Sequence, residues 1–395
     1  MTCEVAVMNT RGIALAADSA VTLGDGEKIY HNAEKLLQLV PKAPVGIMTF
    51  GAADLVGVPW ETIVAGYQRH LGERRFDTLK QYLDDIVAFI ERESIMFPEA
   101  VQEQQFAAVA RRIWRGFYAR RWEDELANSS STKGPERLDL LRRIIAEDHP
   151  HWQRYPRLGY DNAALADQVL SEYASILDDL ERDAFSGTKL PKDIRVGLRA
   201  TLRYFLTSAS FVGGDYSGVV IAGMGEAEPF PSALVCKFGP MVKNKLRFHL
   251  FDHATITHTD TAMVMPFAQR ETIDMIIEGI HPDLKEKMPE FLTESFKHYG
   301  TTRKEIAKRD AAFEHFHNSL HEQIREKYSG PFIEAVSALP RQDLAAMAES
   351  LVNLTAFRAH ASAGVRETVA GPVDVAVLSK GDGFVWMKRK KFGLV

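Results

Sequence analysis

Apolar and polar positions fall into two alternating textures along the chain. The first is a set of short apolar runs of strand length that come in pairs. CEVAVMN (3–9) and GIALAADS (12–19) are joined by Asn9-Thr10-Arg11-Gly12, a turn composition. PVGIMTFG (44–51) follows as a further run. GVVIAGMG (218–225) and ALVCKFG (233–239) form a second pair across EAEPFPS. VDVAVLSKGDGFVWMKRK (373–390) reads as a third, turning at Lys380-Gly381-Asp382-Gly383. Their Val, Ala and Ile content predicts strands buried on at least one face, some on both.

The second texture is helical. From about Leu55 to Glu91 apolar residues recur every three or four positions, as in TLKQYLDDIVAFIERE. Residues 93–210 carry almost no strand signal and are broken by the polar stretch NSSSTKGPE (128–136). A further helical stretch is predicted from about 271 to 361, broken at Gly300 and at Gly330-Pro331. Strand pairs at the beginning, middle and end, with helices between, suit one core with helical insertions better than two successive domains. A loop that leaves and rejoins a core grows at modest entropic cost.

The chain has 395 residues, 46% hydrophobic and 26% charged, enough to bury a sizeable core. Its net charge of −5 provides no global basic field for nucleic acid or an anionic membrane. No apolar run approaches the ~18 residues a bilayer span needs, and no secretory leader is read at the start. Cys3 and Cys236 make neither a disulfide framework nor a metal set. A cytoplasmic protein without metal or cofactor is expected.

The candidate chemistry lies at the start. A hydroxyl is a weak nucleophile until a base takes its proton. An N-terminal threonine supplies both the oxygen and a free α-amine, whose ordinary pKa is about 7.7–8.0. Thr2 meets that description once Met1 is removed. Asp18 falls where the second predicted strand leaves the sheet, and Lys35 precedes another apolar run. A buried cation near a hydroxyl favours the alkoxide, and an acid beside it holds the cation in place.

These residues resemble the proteasome β-subunits and the HslV-type proteases, N-terminal-threonine hydrolases. Thr2, the segment Gly12-Ile13-Ala14-Leu15-Ala16-Ala17-Asp18-Ser19 and Lys35 match that family's spacing, with about one residue of slack. The likeness extends over residues 1–92, 216–285 and 345–392, about half the chain. It implies an α+β fold, the four-layer αββα Ntn-hydrolase sandwich with helical insertions. The implied division is 1–92, 216–285 and 345–395 as core, with 93–215 and 286–344 as insertions.

The resemblance also implies roles. Thr2 would be the nucleophile, Lys35 would lower its hydroxyl pKa, Asp18 would orient Lys35, and Glu367 would stand in for a supporting aspartate. A backbone N–H of Phe50 or Gly51 would form the oxyanion hole. Val21, Ala33, Met48 and Ala52 would line an apolar substrate pocket. A peptide or protein substrate, a homo-oligomer and an unfoldase partner follow by resemblance alone. The family's serine before the helix near Arg270 is replaced within Met265-Pro266-Phe267-Ala268, and another aligns with Ala370. Gln269 or a water with Glu367 could replace those hydroxyls. The alternatives are a small-amide hydrolase on the same nucleophile, and a non-catalytic assembly or binding protein acting through its helices.

Other motifs are weaker. RRIWRGFYARRW (111–122) interleaves arginine with aromatics, yet Ile113, Trp114, Phe117, Tyr118 and Trp122 form a helical stripe, which favours packing over nucleic acid. His317 and His321, with Glu314 one turn earlier, lack a third metal ligand. FDHATITHTD, with Asp252, His253, His258 and Asp260, reads as an irregular polar segment.

Overall fold

The computed structural model describes residues 3–23, 28–30, 33–128, 134–158, 162–211, 216–298, 302–361 and 371–390. Fourteen strands are found among them. Ten form two five-stranded antiparallel sheets. The first sheet has the order β12-β1-β2-β13-β14: Ala262–Ala268, Cys3–Asn9, Gly12–Ala17, Asp374–Ser379 and Gly383–Lys388. The second is β11-β10-β9-β6-β5: Lys245–Thr255, Ser232–Val242, Ser217–Gly223, Val45–Gly51 and Leu36–Gln38. Two small hairpins pair β3 (Val21–Leu23) with β4 (Lys28–Tyr30) and β7 (Asp54–Leu55) with β8 (Val58–Pro59).

The sheets pack face to face, which explains strands without polar alternation. On β1, Ala6 and Met8 enter the layer between the sheets, while Cys3, Val5 and Val7 face helices on the other side. On β9, Val220 and Ala222 point inward, and Val219 and Ile221 meet the helices of the opposite layer. One outer layer is α1 (Trp60–Leu71) and α2 (Leu79–Arg92). Thr78 and Gln81 start α2 with a reciprocal capping box.

A separate apolar cluster is built by α3 (Glu99–Arg111), a π-helical stretch Arg112–Ala119, α4 (Arg120–Ala127), α5 (Gly134–Gln153), α6 (Ala163–Glu172), α7 (Ala174–Ala184) and α8 (Lys192–Thr207). Trp114, Tyr118 and Trp122 are buried in it, whereas Phe117 is half exposed. Arg115 and Arg121 pair with Glu123 and Glu125. Arg247 ties the block to β11: its guanidinium lies 3.6 Å from the Phe205 ring and donates to Ser208 O and Ser210 O, both at 2.9 Å.

The remaining helices are α9 (Glu271–Glu278), α10 (Pro282–Ser295), α11 (Arg303–Ile324), α12 (Gly330–Ala338) and α13 (Arg341–Ala361). Helix α9 ends at Gly279 in the left-handed region. Helices α9, α12 and α13 cover the first sheet and complete an α+β sandwich of four layers.

Three expectations are corrected. Helix begins at Trp60 rather than about Leu55, because the β7–β8 hairpin comes first. The first half of FDHATITHTD, residues 251–255, is the end of β11, a sheet-edge strand whose half-exposed positions hide the apolar signal, and the rest is loop. No break falls at Gly330-Pro331: Pro331 sits in the first turn of α12, where its missing N–H is not required, after a π-helical turn Arg325–Ser329. The predicted break at Gly300 lies outside the described residues.

Candidate active site

The site is built where β1, β2 and the start of β5 come together. Asp18 follows β2 directly, and its backbone N–H donates to Cys3 O at 3.1 Å. Its carboxylate is buried and turns back toward β1: Oδ1 accepts from the Cys3 N–H at 3.1 Å, and Oδ2 from the Ala20 N–H at 3.2 Å. The Lys35 ammonium donates to Asp18 Oδ1 at 2.6 Å. The same nitrogen lies 3.7 Å from Glu4 Oε1. All three residues are at most 4% exposed. One cation is thus held by two carboxylates, beside the residue that is peptide-bonded to Thr2.

Strand pairing fixes Lys35. The Thr49 N–H donates to Lys35 O at 2.8 Å, so Phe50 and Gly51 come next along the neighbouring strand. Gly51 has φ +77°, and a Cβ there would come 3.0 Å from Tyr216 O. Phe50 sends its ring between the sheets, stacked on Phe267 at 6.2 Å and pressed over Gly218. Met48 is fully buried in the same layer. Ala33 is half-buried, its N–H bonded to Ser19 O at 3.1 Å, and the Ala52 N–H donates to Tyr216 O at 3.2 Å. Thr2, Glu367 and Ala370 lie outside the described residues, as does the side chain of Val21. Pro266 occupies the sheet-edge strand β12, where no ladder donor is demanded of it.

Two groups escaped the sequence reading. Glu4 is a carboxylate within an otherwise apolar strand, and that incongruity is its signal. Lys390, in a basic terminal run, looks solvated but is buried. Its ammonium stands 3.2 Å from Asp374 Oδ2, donates to Ser19 Oγ at 3.2 Å, and reaches Ala33 O. Ser19 Oγ donates in turn to Pro372 O at 2.6 Å.

No protein-family model matches the chain, and no curated protein matches it. Solved structures do. A Gly-1 mutant of Anbu from Hyphomicrobium sp. strain MC1 aligns at 10% identity over 100% of this chain and 88% of that one, with a TM-score of 0.33. Anbu, titled an ancestral β-subunit, from Yersinia bercovieri aligns at 9% identity, over 99% and 88%, with a TM-score of 0.29. A helical assembly of the Anbu complex from Pseudomonas aeruginosa gives 9%, 99%, 88% and 0.34. These matches correct the expected kinship: the chains found are Anbu proteins, proteasome-like but a family distinct from the proteasome β-subunits and HslV-type proteases. At such identities and scores they assign no residue, and the chemistry rests on the geometry above.

Burial pushes the Cys3 thiol well above the ordinary range, and the charges of Glu4 and Asp18 push it the same way. Cys3 is therefore a protonated core residue, not a competing nucleophile. His317 and His321 meet edge-to-face on α11, ring centroids 4.3 Å apart. Among the described residues no group of three or more His, Cys, Asp or Glu could hold a metal ion. Among them, too, no helix is long and apolar enough to cross a membrane.

Proposed function

We propose that the chain is a threonine-type hydrolase of peptide bonds, with Thr2 as nucleophile after Met1 is removed. The observation that carries the reading is the Lys35 ammonium, buried between Asp18 and Glu4 next to Cys3. An ammonium has three donors, and among the described residues Lys35 spends one of them, on Asp18. Donor capacity and positive charge are left for an oxygen nearby.

In the reaction, Thr2 Oγ1 attacks the scissile carbonyl carbon, and its proton passes to the free α-amine through a water. Lys35 stabilises the oxygen as its negative charge grows, and Asp18 keeps Lys35 in place. A backbone N–H of Phe50 or Gly51 donates to the oxyanion of the tetrahedral intermediate. The C–N bond breaks as the α-ammonium returns the proton to the leaving amine. Water then hydrolyses the Thr2 ester by the reverse proton path. Glu367 is the proposed supporting acid, and Ala33 and Ala52 the proposed pocket residues nearest this path. Self-association is part of the proposal. The unfoldase partner rested on the corrected kinship and is not carried forward.

The test is intact mass before and after an epoxyketone, which needs both the hydroxyl and the free amine of an N-terminal threonine. Loss of Met1 and one adduct per chain, absent in Thr2→Ala and Lys35→Met, is expected. Retained Met1, or no adduct on a chain that starts at Thr2, overturns the reading.

A further inference from the structure

The inner face of the second sheet continues past the candidate site. Strand β6 has β5 on one side and β9, then β10, on the other. Ala33 and Lys35 lead into β5. On the other side Phe50 pairs with Gly218, and Gly218 pairs with Lys237. Residues opposite one another in a sheet share a face, so Lys237 lies on the face of Phe50, two strands away, about 10 Å along the sheet. Val235, two positions earlier on β10, packs between the sheets and marks the same face.

A lysine that only covered apolar surface would send its head to water. The Lys237 ammonium instead lies between two rings, 4.8 Å from the centre of Tyr216 and 5.0 Å from that of Phe251. Tyr216 is tied to the candidate site, since its carbonyl accepts the Ala52 N–H at 3.2 Å. Phe251 is exposed on the edge strand β11 and Lys237 is half-buried, so the ammonium sits at the mouth of the layer between the sheets. Among the described residues this ammonium has neither a carboxylate partner nor a hydrogen bond. Asp252, opposite Val235, acts on Arg270 instead. Burial pushes Lys237 below its ordinary range. His249, directly opposite on β11, is pushed down too, by burial and then by the Lys237 charge. The rings hold the cation in place and leave its three donors unused. Such a cation attracts an anion, and the anion a peptide brings is a carboxylate.

We propose that Lys237 binds a carboxylate of the substrate on the leaving side of the scissile bond. Its place in the reaction rests on the hydrolase reading above. With the pocket for the residue before the cut beside β5, the peptide after the cut passes over β9, where the Phe50 ring covers Gly218, toward β10. At ~3.3 Å per extended residue, the distance to Lys237 spans about three residues. The carboxylate is that of an acidic side chain at this position, or the free C-terminus of a substrate that ends there.

Binding is measured on Thr2→Ala, by saturation-transfer NMR titration with three tripeptides that model the leaving fragment. They are Ala-Ala-Glu amide, Ala-Ala-Gln amide, and Ala-Ala-Ala with a free C-terminus. One of the two carboxylate peptides is expected to bind about tenfold more tightly than the Gln amide, and which one tells side chain from C-terminus. Lys237→Met, which keeps the stem against the rings, is expected to erase that difference, and Lys237→Arg to keep it. Far-ultraviolet circular dichroism confirms that both fold. No binding, equal binding of the three peptides, or a preference that survives in Lys237→Met overturns the proposal. Mass spectrometry of a peptide library treated with the wild type then locates the carboxylate. Cuts are expected to be enriched about three residues before Asp, Glu or a chain end, and the enrichment to vanish in Lys237→Met. Cleavage without that enrichment overturns the leaving-side assignment. Carboxylate binding that needs Lys237, with no cleavage of any peptide, establishes the site and overturns the hydrolase reading.

Discussion

Lys35→Met removes the one positive charge between Asp18 and Glu4 while keeping an unbranched chain of similar length. In the wild type the Asp18 contact is 2.6 Å and the Glu4 contact 3.7 Å, with all three side chains buried. At an effective dielectric of ~20, the attraction at the shorter distance is about 6 kcal/mol, and desolvation of the ammonium offsets much of it. Removing one partner of a buried pair costs about 3–5 kcal/mol, because the other charge is left uncompensated. Asp18 keeps the Cys3 and Ala20 N–H donors, which lowers the cost. The facing Glu4 carboxylate, now repelled, raises it. A loss of about 4 kcal/mol is expected. With an unfolding entropy of ~2.1 cal/mol/K per residue over this length, the melting temperature falls by about 5 °C.

The decisive comparison is a double-mutant cycle with Glu4→Gln, measured by urea unfolding followed by tryptophan fluorescence. In the wild type, Glu4→Gln loses an attraction and is expected to destabilise. In Lys35→Met, it removes a repulsion and is expected to stabilise. A reversal of sign, with a coupling above ~1 kcal/mol, is the signature of a shared cation. Equal effects in both backgrounds would refute the reasoning. So would a Lys35→Met cost below ~1 kcal/mol, within the range of exposed pairs.

Lys390→Met strips Asp374 and Ser19 of a buried cation and is expected to cost about 3 kcal/mol in the same unfolding assay, with Asp374 still accepting from the residue 390 N–H at 2.7 Å. Gly218→Ala would place a Cβ 2.2 Å from the Phe50 ring. Destabilisation of about 1–3 kcal/mol is expected, with at least ~1 kcal/mol less when Phe50→Leu is already present. Burial pushes Cys236 up to about 12 and Cys3 further, so both keep their protons where the unfolded chain loses them. Their stabilisation is whole below the unfolded thiol pKa of about 8.5 and is lost as pH rises above it, by ~1.4 kcal/mol per unit for each thiol. Thermal melts at pH 8, 9 and 10 (about 4 kcal/mol lost by pH 10 from the two thiols) should fall less steeply in Cys236→Ala.

The sheets were legible where both faces of a strand are buried. CEVAVMN and GIALAADS carry apolar side chains at odd and even positions, because one set meets helices and the other meets the second sheet. The same logic hid β11 and β12. Each lies at an edge of its sheet, and solvent on part of the strand lets in Asp252, His253 and Pro266. Asp18 and Lys35 were legible as residue types at a strand end. Their partnership was not, since nothing local shows that 17 positions of chain return a lysine to within 2.6 Å of that aspartate. Helix α10 was legible as helix but not as surface: its apolar recurrence reads like a buried stripe, and only the fold shows that Phe291 is left exposed among the described residues.

Two buried lysines stand near the Asp18-Ser19 corner, and their surroundings separate structure from chemistry. Lys390 donates to Ser19 Oγ and Ala33 O and pairs with Asp374, so it is tied to three different segments. That is how a cation holds a chain end against a sheet. Lys35 instead meets two carboxylates and makes one hydrogen bond among the described residues. As a staple it would be inefficient, because an apolar triad of similar volume is often more stable than a buried ion cluster. A fold that needed only cohesion there would gain from losing both Lys35 and Glu4. Keeping a positive charge with donors to spare, beside the residue bonded to Thr2, makes sense if an oxygen at that place must carry negative charge. The two lysines therefore give opposite expectations: Lys390→Met should lower stability in proportion to any loss of labelling at Thr2, whereas Lys35→Met combined with Glu4→Gln should recover stability and still leave Thr2 unlabelled.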